Sequence, residues 1–266
     1  MNTIDIINKV IAIISFIVDI MFIISLSGQL YNYFYKKRYI RKILGFGNSD
    51  NIKISFSNRK LKSLTGDTND YITYDILKAI NNTIKLLTLV SYKYNLIETA
   101  NNAKNEINIG SFLTNKSVNA YFTKFFPNFK YFVDEKYRKK YVQYQIDTSM
   151  IEVGKNNKFG YQIGDEFLEI NEKICDYAFL IKLVASDFKD SYKKTVHILF
   201  GGSSMATVKA SEYLLYHNKQ IYERFKNGHY FFAIQINRID NSINYAFGIR
   251  DFTVKMFGLN SNKINY

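Results

Sequence analysis

Two glycine-bearing turns carry the residues best suited to chemistry in this chain. The first is Gly201-Gly202-Ser203-Ser204, with Thr207 one turn further on. Glycines let a backbone approach an anion closely, while helix amino-terminal N–H groups and the helix dipole favour negative charge. The hydroxyls of Ser203, Ser204 and Thr207 would add donors. The second is Gly110-Ser111, with Asn115 at the start of the following helix. Ser57 and Asn58, at the end of an earlier strand, are placed to line the same crevice. Taken singly, each turn also reads as a strand-to-helix bend capped by serine or asparagine. Two such turns from different strands point to a shared pocket for a phosphate-bearing ligand.

The elements around them set that geometry. Ile52, Ile54 and Phe56 alternate as a strand, and Ile72, Ile76, Leu77, Ile80, Ile84 and Leu87 recur at helical spacing. EINIG predicts a strand ending at Gly110, followed by a helix from Thr114 to Phe126. YAFLIKLV and TVHILF are apolar runs suited to buried strands, and the second enters the Gly201 turn. Ala206, Ala210, Tyr213 and Leu214 then have helix spacing. YFFAIQI gives another strand, and Ile243 to Phe257 an edge strand or two. The stretch 130–172 has short alternating runs and reads as a small antiparallel insertion. Strands alternating with helices predict an α/β, Rossmann-like three-layer domain with a mainly parallel sheet. It covers 51–257, and the boundary falls at the break after Leu44 (Gly45, Gly47 and the polar residues to Asp50).

Ahead of it lies a different kind of segment. VIAIISFIVDIMFIISLS, Val10 to Ser27, approaches the length that spans a hydrocarbon core as a helix. Its twelve Ile, Val, Leu and Phe residues contribute about −5 kcal/mol on an insertion scale. Asp19 costs roughly 3 kcal/mol on the same scale, so insertion wins. We assign 8–28 to a transmembrane helix and 29–50 to a basic juxtamembrane helix and linker, with an amphipathic stretch from Tyr31 to Leu44 lying on the inner leaflet. Lys36, Lys37, Arg38, Arg41 and Lys42 follow the apolar run, which predicts a single-pass protein with its amino terminus outside and its domain cytoplasmic. Asp5, Asn8, Ala12, Ser15 and Asp19 fall on one helical face. Polar and small residues on one face favour helix–helix association, so Ser15 and Asp19 are the expected contacts of a homo-oligomer.

The formal charge of +13 invites a nucleic-acid reading. Outside the juxtamembrane cluster, however, cations are scattered among acids, and the lipid bilayer is the better partner for the cluster itself. Nucleic acid is therefore not an expected partner. Cys175 is the single cysteine, and His197, His217 and His229 lie far apart, so neither a disulfide framework nor a metal site is expected. No cofactor is implied. His197, inside an apolar run, reads as a core residue.

EINIGSFLTNKSVNAYF resembles the Gly-x-x-x-x-Asn strand-to-helix turn of the SLOG-like (LOG/Smf/DprA-related) Rossmannoid sensors. KKTVHILFGGSSMATVKASEYL is similar to their second glycine turn, and DYAFLIKL before it also fits. The resemblance implies that Gly110, Ser111, Asn115, Gly201, Gly202, Ser203 and Thr207 contact a nucleotide-derived messenger. It also implies a membrane effector of prokaryotic antiphage systems of the Thoeris and cyclic-oligonucleotide type. Enzymatic LOG relatives carry Gly-Gly-x-Gly-Thr-x-x-Glu. Here two extra residues separate Gly202 from Thr207, Ala206 replaces a glycine, and Ala210 stands where the glutamate belongs. A binding role gains from that difference. Two alternatives stay open: a nucleotide-processing hydrolase with Glu212 or Asp176 as acid–base groups, and a membrane-tethered adaptor in which both turns are structural.

Overall fold

Apolar alternation along Ile52–Phe56 and continuous apolar runs in the later strands specify a sheet buried on both faces, and that sheet organises the domain. In the computed structural model of the protein the described residues are 3–46, 51–57, 59–62, 68–97, 105–133, 151–153, 159–171, 173–184, 195–226, 228–244 and 248–257. Asn58 and the break at 47–50 lie outside them, as does most of the 134–158 stretch.

The elements run α1 (Thr3–Leu44), β1 (Ile52–Phe56), β2 (Arg59–Lys62), β3 (Thr68–Tyr71), α2 (Tyr74–Leu89), β4 (Tyr94–Ile97), β5 (Asn105–Ile109), α3 (Lys116–Phe125) and β6 (Phe129–Val133). Then follow β7 (Ile151–Val153), β8 (Gly160–Ile163), β9 (Glu166–Glu169), β10 (Cys175–Leu183), β11 (Thr195–Gly201), α4 (Ser204–Tyr216), α5 (Asn218–Phe225), β12 (Tyr230–Asn237), β13 (Ile249–Asp251) and α6 (Thr253–Phe257).

The seven-stranded sheet has the order β13-β12-β10-β11-β5-β1-β4. Its β4, β1, β5 and β11 are parallel, whereas β10, β12 and β13 join antiparallel. The mainly parallel sheet expected from the alternation of elements is thus mixed. The reason is that β10 lies between β11 and β12 and points against both, while β12, reached from β11 through α4 and α5, keeps the direction of the parallel strands.

One face of the sheet is covered by α2, α4 and α5, whose Ile76, Ile80, Leu87, Val208, Leu214 and Ile221 pack on Ile52, Ile54, Ile107 and Leu199. The other face is covered by α3 and a second sheet, β7-β6-β8-β9. That sheet occupies the place of the expected antiparallel insertion and is itself mixed, since β6 and β7 run parallel. Its contact with the main sheet is aromatic: Phe129, Tyr161, Phe179 and Phe200 lie with ring centroids 4.5–6.4 Å apart, and such pairs contribute about 0.5–1.5 kcal/mol each beyond their area. The result is a three-layer α/β domain with two mixed sheets, preceded by one long apolar helix.

That helix, α1, is continuous for 42 residues. Its part from Ile14 onward is long and apolar enough to cross a membrane, and Phe16, Met21, Phe22 and Ile24 are exposed. The last turn behaves otherwise. Ile40, Ile43, Leu44 and, just beyond, Phe46 are buried in the domain core. The stretch expected to lie along a leaflet therefore ends as a core element, because its apolar side chains fit against the helix-covered face of the sheet.

Candidate functional site

The parallel half of the sheet creates a switch point. From β1 the chain leaves through α2 on one face and pairs β4 on one side. From β5 it leaves through α3 on the opposite face. Ligand crevices in open α/β sheets form where the connections diverge like this, beyond the carboxyl ends of the strands. A cleft of about 110 Å³ lies there. It is lined by Ser57 after β1, Ser111, Leu113 and Thr114 after β5, Gly201 to Ser204 and Thr207 after β11, and Thr73 and Ile76 at the start of α2. The first turns of α2 and α4, and the turn leading into α3, thus open on one space, and helix amino termini favour an anion there.

Of the residues singled out in the sequence, Ser57, Ser111, Gly201, Gly202, Ser203, Ser204 and Thr207 line this cleft. Gly110 and Asn115 stand behind it. Gly110 has φ +111°, and a Cβ there would overlap Ser57 Oγ, so only glycine lets β5 turn against β1. Asn115 caps α3: its side-chain oxygen accepts from the N–H groups of Ser117 and Val118 at 3.0 and 3.3 Å. Its Nδ2 donates to Ile109 O and to Ser55 Oγ at 3.2 and 3.3 Å. Ser55 in turn bonds Asn108, so a buried polar row props the Ser111 turn from beneath.

The two glycine amides are used within the fold. Gly110 N–H donates to Leu199 O at 2.9 Å and Gly202 N–H to Tyr177 O at 3.2 Å. What faces the cleft instead is a set of hydroxyls and the first turn of α4. Ser203 caps that helix, accepting from Ala206 N–H at 3.2 Å, and Thr207 Oγ1 donates to Ser203 O. Thr114 Oγ1 donates to Ser57 Oγ at 2.9 Å, joining the β1 and β5 turns. Ser204 donates to the Asp75 carboxylate at 2.6 Å. Asp75, Thr73, Leu113 and Thr114 were not singled out in the sequence. Thr73 ahead of the Ile76–Ile80 repeat is a helix-start signal that marks α2's first turn, but nothing local places that turn beside Gly201.

Asp176 sits against Gly202, where a Cβ would overlap its Oδ1. Its Oδ2 pairs with Arg238 at 3.0 Å and its Oδ1 accepts from Tyr177 N–H. Glu212 is held by Lys78 and Lys209 at 3.2 and 2.8 Å. Both acid–base candidates are therefore ion-paired. Ser15 and Asp19 lie one turn apart on the exposed part of α1. The side chains of Asp5, Asn8 and Ala12 lie outside the described residues. Among the described residues no group of His, Cys, Asp and Glu could hold a metal ion.

A second polar constellation lies at the opposite end of the same strands. The helix exit presents three successive carbonyls, and each meets a donor from a strand start. His197 Nε2–H donates to Leu44 O at 3.0 Å, Thr195 Oγ1 to Gly45 O at 3.2 Å, and Asn105 Nδ2 to Phe46 O at 3.2 Å. The Tyr230 hydroxyl donates to His197 Nδ1 at 3.2 Å, which fixes one neutral tautomer. Burial, aided by the charge of Lys182, pushes the His197 pKa down to about 3, against the Leu44 bond, which acts the other way. Lys182, itself buried beside Gly45, is pushed down to about 8 by burial. Arg41 adds a bond to Val90 O at the end of α2, 3.2 Å.

The fold and site together define an α/β domain with a strand-end cleft, carried on a long apolar helix that is locked into the domain's other end. Compared with known proteins, the chain matches no family model, no curated protein and no solved structure.

Proposed function

We propose that this protein is a single-pass membrane-anchored signalling effector whose domain binds a nucleotide-derived small molecule in the strand-end cleft. The observation that carries the reading is the convergence of Ser57, Ser111, Gly201 to Ser204 and Thr207, distant in sequence, on one cleft at the switch point. Helix amino termini and hydroxyls suit a phosphate group, while Ile76 and Leu113 offer apolar walls. Asp75, bonded to the cleft residue Ser204, suits a sugar hydroxyl, the role acidic residues take in Rossmann-like dinucleotide sites. The resemblance to SLOG-like sensors supports the same class of ligand, and through it an antiphage role.

Binding is the better assignment than catalysis, because Asp176 and Glu212 are both engaged in ion pairs. The effector step in this reading is association of α1 through the face bearing Ser15 and Asp19. The cations after the apolar run support a cytoplasmic domain.

The test is thermal unfolding of the full chain in detergent with a panel of mono-, di- and cyclic nucleotides. A ligand at about a hundredfold its Kd stabilises by roughly 2.7 kcal/mol. That shift should shrink in Thr207→Val, which removes a hydroxyl from the cleft lining at nearly constant volume. A panel that moves neither protein refutes the reading. Turnover of a nucleotide without a stable complex would favour the hydrolase instead.

A further inference from the structure

Tyrosines form a ladder along α1 from its apolar part into the domain. Tyr31 stacks on Tyr35 at 5.4 Å, Tyr35 meets Tyr39 edge-on at 4.6 Å, and Tyr39 meets Tyr222 of α5 at 5.2 Å. At the foot of the ladder, cations from two distant stretches gather around Tyr222. Lys42 Nζ donates to its hydroxyl at 3.0 Å and lies 5.0 Å from the ring centroid. Lys226 Nζ lies 5.8 Å from the same ring. The bond from Lys42, together with the charges of Lys42, Lys226 and Arg38, holds the phenol below its ordinary value despite partial burial. The neighbouring acid, Glu223, is engaged by Lys219 at 3.7 Å. Among the described residues no carboxylate pairs with Arg38, Lys42 or Lys226.

We infer that Arg38, Lys42, Lys226 and the Tyr222 hydroxyl form a site for the phosphate of an anionic lipid headgroup. Position argues for a lipid over a free anion. A hydrocarbon core of about 30 Å takes about twenty helical residues, which fits the stretch from Ile11 to Leu30. Tyr31, Tyr33 and Phe34, all exposed, then fall at the interface where amphipathic rings collect. Arg38 follows about 12 Å beyond Leu30 at 1.5 Å per residue, roughly 6 Å past the headgroup layer, a gap that a long cationic side chain leaning toward the helix amino terminus spans. Docking α1 on α5 adds Lys226 and Tyr222 to a charge cluster that sequence alone confines to α1. The site is therefore built by the fold, distinct from diffuse attraction to a surface.

The inference rests on α1 being embedded in the bilayer, which recovery of the full chain in reconstituted vesicles tests separately. The site is tested by native mass spectrometry of the full chain released from mixed phosphatidylcholine and phosphatidylglycerol micelles, counting retained lipids. Wild type should retain phosphatidylglycerol in preference. Arg38→Gln and Lys226→Gln should each lower that retention about tenfold, the loss of one charge-assisted contact to a phosphate. Lys36→Gln, which removes an equally exposed cation outside the cluster, should change it less than about twofold. Equal loss in all three variants means diffuse attraction and overturns the site, as does unchanged retention in Arg38→Gln and Lys226→Gln. Displacement of the lipid by millimolar inorganic phosphate would assign the cluster to a free anion and overturn the lipid.

Discussion

The two ends of the parallel strands treat polar groups in opposite ways. At the amino end His197, Thr195 and Asn105 are buried, and each is matched to a carbonyl of the α1 exit. At the carboxyl end Ser111, Thr114, Ser203 and Ser204 are only half-buried around an open cleft. The first arrangement answers a helix's unsatisfied carbonyls from within the chain. The second leaves hydroxyls and helix starts facing space. Strand β11 belongs to both, with Thr195 and His197 at one end and Gly201 at the other. Under the proposed function the difference separates a structural socket from a ligand site: substitutions in the socket should move stability, and those on the cleft surface should chiefly move ligand response.

The largest expected effect lies behind the cleft, where the two roles meet. Gly110→Val forces a left-handed backbone on a β-branched residue and drives its side chain into Ser57, for a loss of about 3–5 kcal/mol in urea unfolding. In the socket, His197→Leu leaves Leu44 O and the Tyr230 hydroxyl buried without that partner, which should cost about 2–4 kcal/mol. If it costs less than Ser203→Ala, the socket is not the structural end.

Protonation probes the socket without mutation. The folded chain keeps His197 neutral down to about pH 3, while the unfolded chain takes up a proton near its ordinary 6.5. Below 6.5 the unfolded state therefore binds more protons, and stability falls with falling pH by about 1.4 kcal/mol per pH unit. Denaturation at a series of pH values from about 7 to 5 measures that slope, and His197→Gln should remove its share.

At the cleft, Ser203→Ala removes the α4 cap for about 1 kcal/mol. It should weaken any nucleotide-induced thermal shift well beyond what that loss explains. Arg41→Ala, at the rim of the socket, should cost less than about 1 kcal/mol, since its bond to Val90 O is partly solvated. A larger loss would extend the socket to the surface.

The strands and helices that frame the cleft were legible from periodicity. Ile52–Phe56, Asn105–Ile109 and Thr195–Gly201 fall where alternation and apolar runs put them. The edge strand β4 and the β2–β3 hairpin were not, because four-residue strands leave too short a pattern. The second sheet was only half legible: its short alternating runs announce strands, but not the parallel pairing of β6 with β7.

By itself the sequence determined the long apolar helix, the alternation of elements and the two glycine turns, since each is written in local spacing and backbone freedom. Only the tertiary structure decided that Ser57, Ser111 and Ser203 share a cleft, that Asp75 bonds Ser204 beside them, and that His197 holds the end of α1. Those facts depend on which strands pair and on which face each connection crosses. Packing settles both through residues about 40 to 150 positions apart, a separation that no local pattern records.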